Sequence, residues 1–361
     1  MANPRSRRSF FKLKARASPQ ASTLVAHISH EFNHHHTGRC RNCRTRSAGD
    51  DEAGERNDGG RVKTKDRSRT KLLQLLTLIF FWSFLRKQAP KTEQMKTLPN
   101  LPYPDCENPK LKILEKLFVD WHQHFAMKLS KLDQQVADDM VFDGFYPHYF
   151  SQKKKILFIG RETLEMAGEN YIETLFKCYR SEAKLIGNRH LNNYKFHNRM
   201  IYIAYGILNG FPDWGKIDHA DKLSDTFGTP DGLSFAFMNI SKLSNESGRW
   251  PADWDLINQA HRHSTEGRNF IEEEIAILEP QIVIAMNLDE KLRSLGRLSA
   301  WVPDSAGVKS CWLESSGHRS LLIDSWHFSA FGKKDIPDYY TPICDAIRRS
   351  ESESIGQTIP N

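Results

Sequence analysis

Of four short peptides in the body of the chain, three carry side chains able to bind or protonate a ligand. The four are Gly160-Arg161-Glu162-Thr163, Asn239-Ile240-Ser241-Lys242, Asn287-Leu288-Asp289 and Ser325-Trp326-His327-Phe328-Ser329. A glycine such as Gly160 lets a ligand approach the backbone closely. Glu162 suits a general base or the stabilisation of a developing cation. Asn239 offers a donor and an acceptor on one planar amide, which is the equipment for reading the edge of a nucleobase. His327 can supply a hydrogen bond or a proton near neutral pH. Each residue also has an ordinary role open to it: Glu162 offsetting a helix dipole, Asn239 capping a turn, His327 packing. The chemical roles gain weight only if the elements before these peptides bring them to one place.

The elements are legible from their apolar patterns. Residues 155–160 (KILFIG), 234–239 (SFAFMN), 281–286 (QIVIAM) and 320–324 (SLLID) are continuous apolar runs rather than alternating ones, as expected of strands buried on both faces of a parallel sheet. Helical spacing fills the intervals, over about 111–133, 164–186, 196–210, 254–278, 288–295 and 336–349. Strand–helix alternation of this kind predicts an α/β fold, a three-layer αβα sandwich around a central four-stranded parallel sheet. Ligands of such sheets sit beyond the carboxyl ends of the strands, where all four peptides lie.

In order and spacing, these blocks resemble the uracil-DNA glycosylase superfamily over about residues 150–345. Residues 156–162 (ILFIGRE) resemble the first motif, in which a strand ends in glycine and a water-activating acid follows. Residues 235–242 (FAFMNISK) resemble the strand that delivers the base-reading asparagine. Residues 270–286 (FIEEEIAILEPQIVIAM) resemble the helix, proline and third strand. Residues 321–329 (LLIDSWHFS) resemble the last strand and its His-x-Ser loop. The chain departs from the pattern at Thr163 and Phe328, where the family has proline, and at Asn287, where the third strand commonly ends in glycine.

The resemblance implies base flipping, with a nucleotide extruded from the stack and its base read in a pocket. Gly160 and Asn239 would bind the base, and Glu162 and His327 would be catalytic. Lys242, Ser329 and Lys333 would hold phosphates or DNA, and Tyr171 or Phe176 would stack on the base. A binding-only relative, keeping the rim but not the reaction, is the alternative. No cofactor or metal is expected. Cys106, Cys178, Cys311 and Cys344 lack the spacing of an iron–sulfur branch. The expected partner is DNA or a nucleotide, met by a monomer. No G-x-S-x-G, Walker or paired G-x-G-x-x-G signature directs the reading to another α/β enzyme.

Composition separates the front of the chain from this body. Of 361 residues, 39% are hydrophobic and 11% aromatic, enough for a sizeable core, and no apolar run reaches the length of a membrane span. Residues 1–94 hold 20 Lys/Arg against 8 Asp/Glu, a net +12, whereas 95–361 hold 31 against 36, a net −5. The overall basicity therefore belongs to the front, and DNA contact by the remainder must rest on a local patch. Residues 1–94 read as a mostly disordered basic segment, and 95–361 as the glycosylase-like domain. Residues 1–30, basic and acid-free, suit an organelle transit peptide; without that role the protein is expected in the cytoplasm. Leu72–Leu85 reads as an interfacial or buried helix, with a membrane anchor as the lesser alternative. Cys40 and Cys43 form one C-x-x-C, a weak zinc signal without a second pair. A non-native extension preceding Met95 would give the same pattern.

Overall fold

The computed structural model describes residues 97–129, 137–249 and 251–356. The readings of residues 1–94, including the transit peptide, the apolar run and the C-x-x-C, lie outside the described residues. The chain divides into two units, Met1–Gln88 and Ala89–Asn361.

In the second unit the strands are β1 (Gly144–Phe145), β2 (Ile156–Gly160), β3 (Leu185–Ile186), β4 (Arg189–His190) and β5 (Ala236–Asn239). They continue with β6 (Ile282–Met286), β7 (Arg297–Leu298), β8 (Val302–Pro303), β9 (Lys309–Ser315) and β10 (His318–Ser325). The main helices are α1 (Asn108–Leu129), α2 (Tyr171–Arg180), α3 (Lys195–Leu208), α4 (Trp254–Thr265), α5 (Phe270–Leu278) and α6 (Thr341–Gly356). Eight strands form one mixed sheet in the order β1-β5-β2-β6-β10-β9-β7, with β8 pairing β9, and β3 and β4 form a separate hairpin. The expected four-stranded parallel sheet is thus only the inside of a larger one: β5, β2, β6 and β10 run parallel, while β1, β7, β8 and β9 add antiparallel.

The apolar runs are continuous because successive residues enter different cores. Leu157, Ile159, Met238, Val283 and Leu322 pack in one cluster with residues of α1, α4 and α5. Ile156, Phe158, Phe237, Ile284 and Ile323 pack in the other with residues of α2, α3 and α6. Each buried side chain of this size contributes about 1.5–3 kcal/mol over leaving it in water, so the inner strands are fixed in register by both faces at once.

Three helical expectations are corrected. The stretch 254–278 is two helices, interrupted at Gly267 in the left-handed region (φ 79°), with the Asn269 side chain capping α5 by accepting from Glu272 N at 3.2 Å. The stretch 164–186 is helical only over Tyr171–Arg180, where Asn170 caps α2 by accepting from Glu173 N at 2.9 Å. Residues 161–170 ahead of it form a loop, and β3 begins after it. The stretch 288–295 is a 3₁₀ segment rather than an α-helix.

Candidate active site

The parallel register sets Gly160 directly beside Asn239. A Cβ on Gly160 would lie 2.7 Å from Asn239 Oδ1 and 3.0 Å from the Phe237 ring, so glycine is needed for close approach rather than for its backbone angles. Asn239 is 2% exposed, and its backbone N–H donates to Asp143 Oδ2 at 2.7 Å. Its side-chain Nδ2 is buried and has no hydrogen-bond partner, although the residue lines a cavity. Such an unsatisfied donor costs about 1–3 kcal/mol, which a carbonyl on a ligand would recover.

Glu162 lies on the same rim, half-buried, where Oε1 accepts from the backbone N–H of Asp253 at 3.1 Å. Burial pushes its carboxyl above the ordinary glutamate range, and the Asp253 amide and Arg161 pull it back only in part. A carboxylate raised in this way is a better proton acceptor.

His327 follows β10 and is held on several sides. Its Nδ1 lies 2.8 Å from Ser329 Oγ and 3.3 Å from Ser329 N. A backbone N–H can only donate, so Nδ1 is the acceptor and the ring proton of the neutral imidazole sits on Nε2. Burial, with the charges of Arg161 and Arg199, pushes its pKa down to about 3. Behind it, Tyr339 OH donates to His327 O at 2.8 Å. The buried Arg199 donates to Phe328 O and to Lys333 O, pairs with Asp335 Oδ1 at 2.8 Å and stacks 4.1 Å from the centre of the Tyr339 ring. The loop that follows the strand is thus clamped by its own polar partners.

Glu162, Asn239, His327 and Ser329 all line one cavity of about 690 Å³. Its apolar wall includes Tyr171, stacked on Phe237 at 4.5 Å and 18°, and Phe196, whose ring centre is 5.4 Å from that of His327. The tip of the β3–β4 hairpin, Gly187 to Arg189, lines it as well. A volume of this size suits a small organic ligand held by a few polar groups. Comparison with models of known protein families and with curated sequences gives no match for the chain. Among the described residues, no group of three or more His, Cys, Asp or Glu side chains is placed to hold a metal ion.

Several expected roles are corrected by position. Lys242 cannot hold a phosphate: it is fully buried, paired with Asp143 and with Glu274 Oε2 at 2.7 Å, and lies 5.1 Å from the centre of the Trp121 ring. Burial alone would lower its pKa, yet attraction to Asp143 and Glu274 raises it, so it stays charged. Burial, and then the charge of Asp143, raises Glu274 above the ordinary carboxylate range, and Lys242 pulls it back only in part. Lys333 does not line the cavity; it sits 3.8 Å from the Trp326 ring centre and 3.6 Å from Asp338 Oδ1. Ser329 is exposed, but its hydroxyl is engaged with His327 and positions that ring. Phe176 does not line the cavity and packs toward Phe227, whereas Tyr171 does line it.

Sequence reasoning missed Asp143, Arg199 and Tyr339, whose partners are distant along the chain and leave no local signal. It also missed Phe331, which is fully exposed two residues beyond Ser329 and beside Gly332 at φ 76°. A phenylalanine next to a glycine and two lysines, four residues after a candidate catalytic histidine, is a signal the sequence does contain.

Proposed function

We propose that the cavity receives a flipped nucleobase and that the protein hydrolyses its N-glycosidic bond, as a DNA glycosylase of the uracil-DNA type on an αβα sandwich. The observation that carries this reading is the convergence of Glu162, Asn239 and a neutral, Nε2-protonated His327 on one cavity. The unpartnered Asn239 amide reads the base edge. Glu162 orients the attacking water and accepts its proton as the oxygen adds to C1′ of the sugar. The glycosidic pair of electrons leaves with the base, and the His327 Nε2–H donates a hydrogen bond to the oxygen on which that charge gathers. A neutral donor fits this task because it stabilises an anion without first having to lose or gain a proton. Phe331 supplies an apolar wedge of the kind that props open a base stack.

Incubation of the protein with oligonucleotides carrying uracil and other altered bases, scored for abasic sites, tests the reading. Glu162→Gln and His327→Ala should each slow excision by about 10²–10³, typical of losing one preorganised electrostatic group. Asn239→Asp should change which base is accepted. Excision that persists in the Glu162/His327 double variant would place the chemistry elsewhere. The binding-only reading is favoured by one observation: Lys242 is buried and Lys333 is beside Asp338, which leaves fewer basic groups for a DNA backbone. It predicts no excision by any variant, with ligand affinity still lost on changing Asn239.

A further inference from the structure

We infer that Arg161 and Thr163 form an oxyanion subsite in the cavity, built to take a phosphate group of the bound nucleotide. Arg161 follows directly on β2, is half-buried and lines the cavity. Charges removed from water are ordinarily paired with an opposite charge. Among the described residues, no carboxylate lies within 4 Å of the Arg161 guanidinium. The acids whose charge it feels are Glu162, Asp289 and Asp324. Glu162 accepts from the Asp253 amide, and Asp324 pairs with Lys309 at 3.3 Å and accepts from Asn287 N at 3.1 Å. The guanidinium instead donates one N–H to Asn287 O at 3.3 Å and lies 4.7 Å from the centre of the Trp254 ring. Its Nε is buried with no partner.

A second orphan stands two residues on. Thr163 is 4% exposed, lines the same cavity, and its Oγ1 has no hydrogen-bond partner. A buried hydroxyl and a buried guanidinium N–H, left unsatisfied in residues lining one cavity, are groups that the oxygens of a ligand would satisfy. Both can donate, and the planar fork of arginine matches a tetrahedral oxyanion in two places at once. Arg249, exposed at the same cavity, adds positive charge around the mouth. Thr163 occupies a position where the resembled family usually has proline, which carries no hydroxyl.

The identity of the phosphate rests on reading the cavity as a nucleotide site; the existence of the subsite does not. Calorimetric titration of the full chain with deoxyuridine, with its 3′- and 5′-monophosphates and with inorganic phosphate separates the two. One of the monophosphates should bind about ten- to a hundred-fold tighter than the nucleoside, the worth of a charge-assisted contact. Arg161→Gln should bring that ratio close to one, Arg161→Lys should keep part of it, and Thr163→Val should reduce it several-fold. A ratio unchanged in Arg161→Gln, or no advantage for either monophosphate in the native protein, would overturn the inference. Arg161→Lys and Thr163→Val keep the test decisive if Arg161→Gln melts early. Inorganic phosphate binding that Arg161→Gln abolishes, with no nucleoside binding at all, would leave the subsite standing and the base-excision reading refuted. Nucleoside binding without any gain from phosphate would do the reverse.

Discussion

Acidification tests the state of His327 most directly. The ring is enclosed, and burial first, then Arg161 and Arg199, lowers its pKa to about 3, against about 6.5 for a histidine in an unfolded chain. Because the folded value is the lower one, the unfolded chain binds more protons between these two pH values. Stability therefore rises with pH across that window, is fully present above about 6.5 and is lost progressively toward pH 3. At pH 5 the cost of keeping this one ring neutral is about 2 kcal/mol. His197, buried with Nδ1 2.8 Å from Tyr179 OH and also lowered to about 3 by burial, adds a term of the same sign and about the same size. Buried and half-buried acids oppose it: Glu107, Glu162 and Asp324 are raised by burial and gain protons in the folded state as pH falls. The informative quantity is thus a difference. Urea unfolding of the native protein and of His327→Gln, each at pH 7 and pH 5, should show the variant losing about 2 kcal/mol less between the two. Parallel losses, or an imidazole resonance of His327 titrating near 6.5, would refute the buried neutral ring. In the excision assay the same reasoning gives His327 no rate limb between pH 5 and 7, and places the acid limb at Glu162, above the ordinary glutamate range.

Three further outcomes follow from the same geometry. Lys242→Met should destabilise the fold by about 3–5 kcal/mol in urea unfolding, because it strands buried acids, where a phosphate-binding surface lysine would leave stability unchanged. Gly160→Ala should leave the protein folded but displace the Asn239 amide, weakening nucleoside binding at least ten-fold by titration; unchanged binding would show that Asn239 does not read the ligand. Phe331→Ala should alter stability by less than about 0.5 kcal/mol, and should slow excision from double-stranded more than from single-stranded DNA, since only the duplex must be propped open.

The four inner strands were legible because each is buried on both faces, so that no polar residue interrupts the run. The rim followed from them, since strand ends in a parallel sheet share one side. What was not legible lies at the edges and across long distances. Strand β9 alternates, with Lys309, Trp312 and Glu314 at least partly exposed against buried Ser310, Cys311 and Leu313, so its apolar signal is diluted. Its hairpin to β10 turns through Ser316 and Gly317, both at positive φ (47° and 85°), a two-residue connection that the Ser-Gly pair does signal. Lys242 looked like a surface cation because its partner Asp143 lies 99 residues earlier, and no local spacing reveals which way it turns. Residues 164–170 extend the helical spacing of α2 toward the strand without being helical, and Asn170 fixes the true start of α2.

The same long-range contacts bear on whether a chain that departs from its resembled family can keep the chemistry. Proline beside the histidine would stiffen the loop by restricting the backbone before folding begins. Here Phe328 is buried against Phe158 and Tyr339, and its carbonyl is taken by Arg199, which also holds Lys333 O and Asp335. The stiffness is supplied after folding, by a buried guanidinium with each of its three nitrogens donating a hydrogen bond, rather than by a ring in the backbone. Asn239 is served in the same way: Asp143 accepts its N–H with one oxygen and pairs with Lys242 through the other. Both rim residues thus stand on buried charges, and a buried charge holds its partner in a single place because every alternative leaves it unpaired. Preorganisation of this kind is what an electrostatic catalyst requires, and neither support needs a proline.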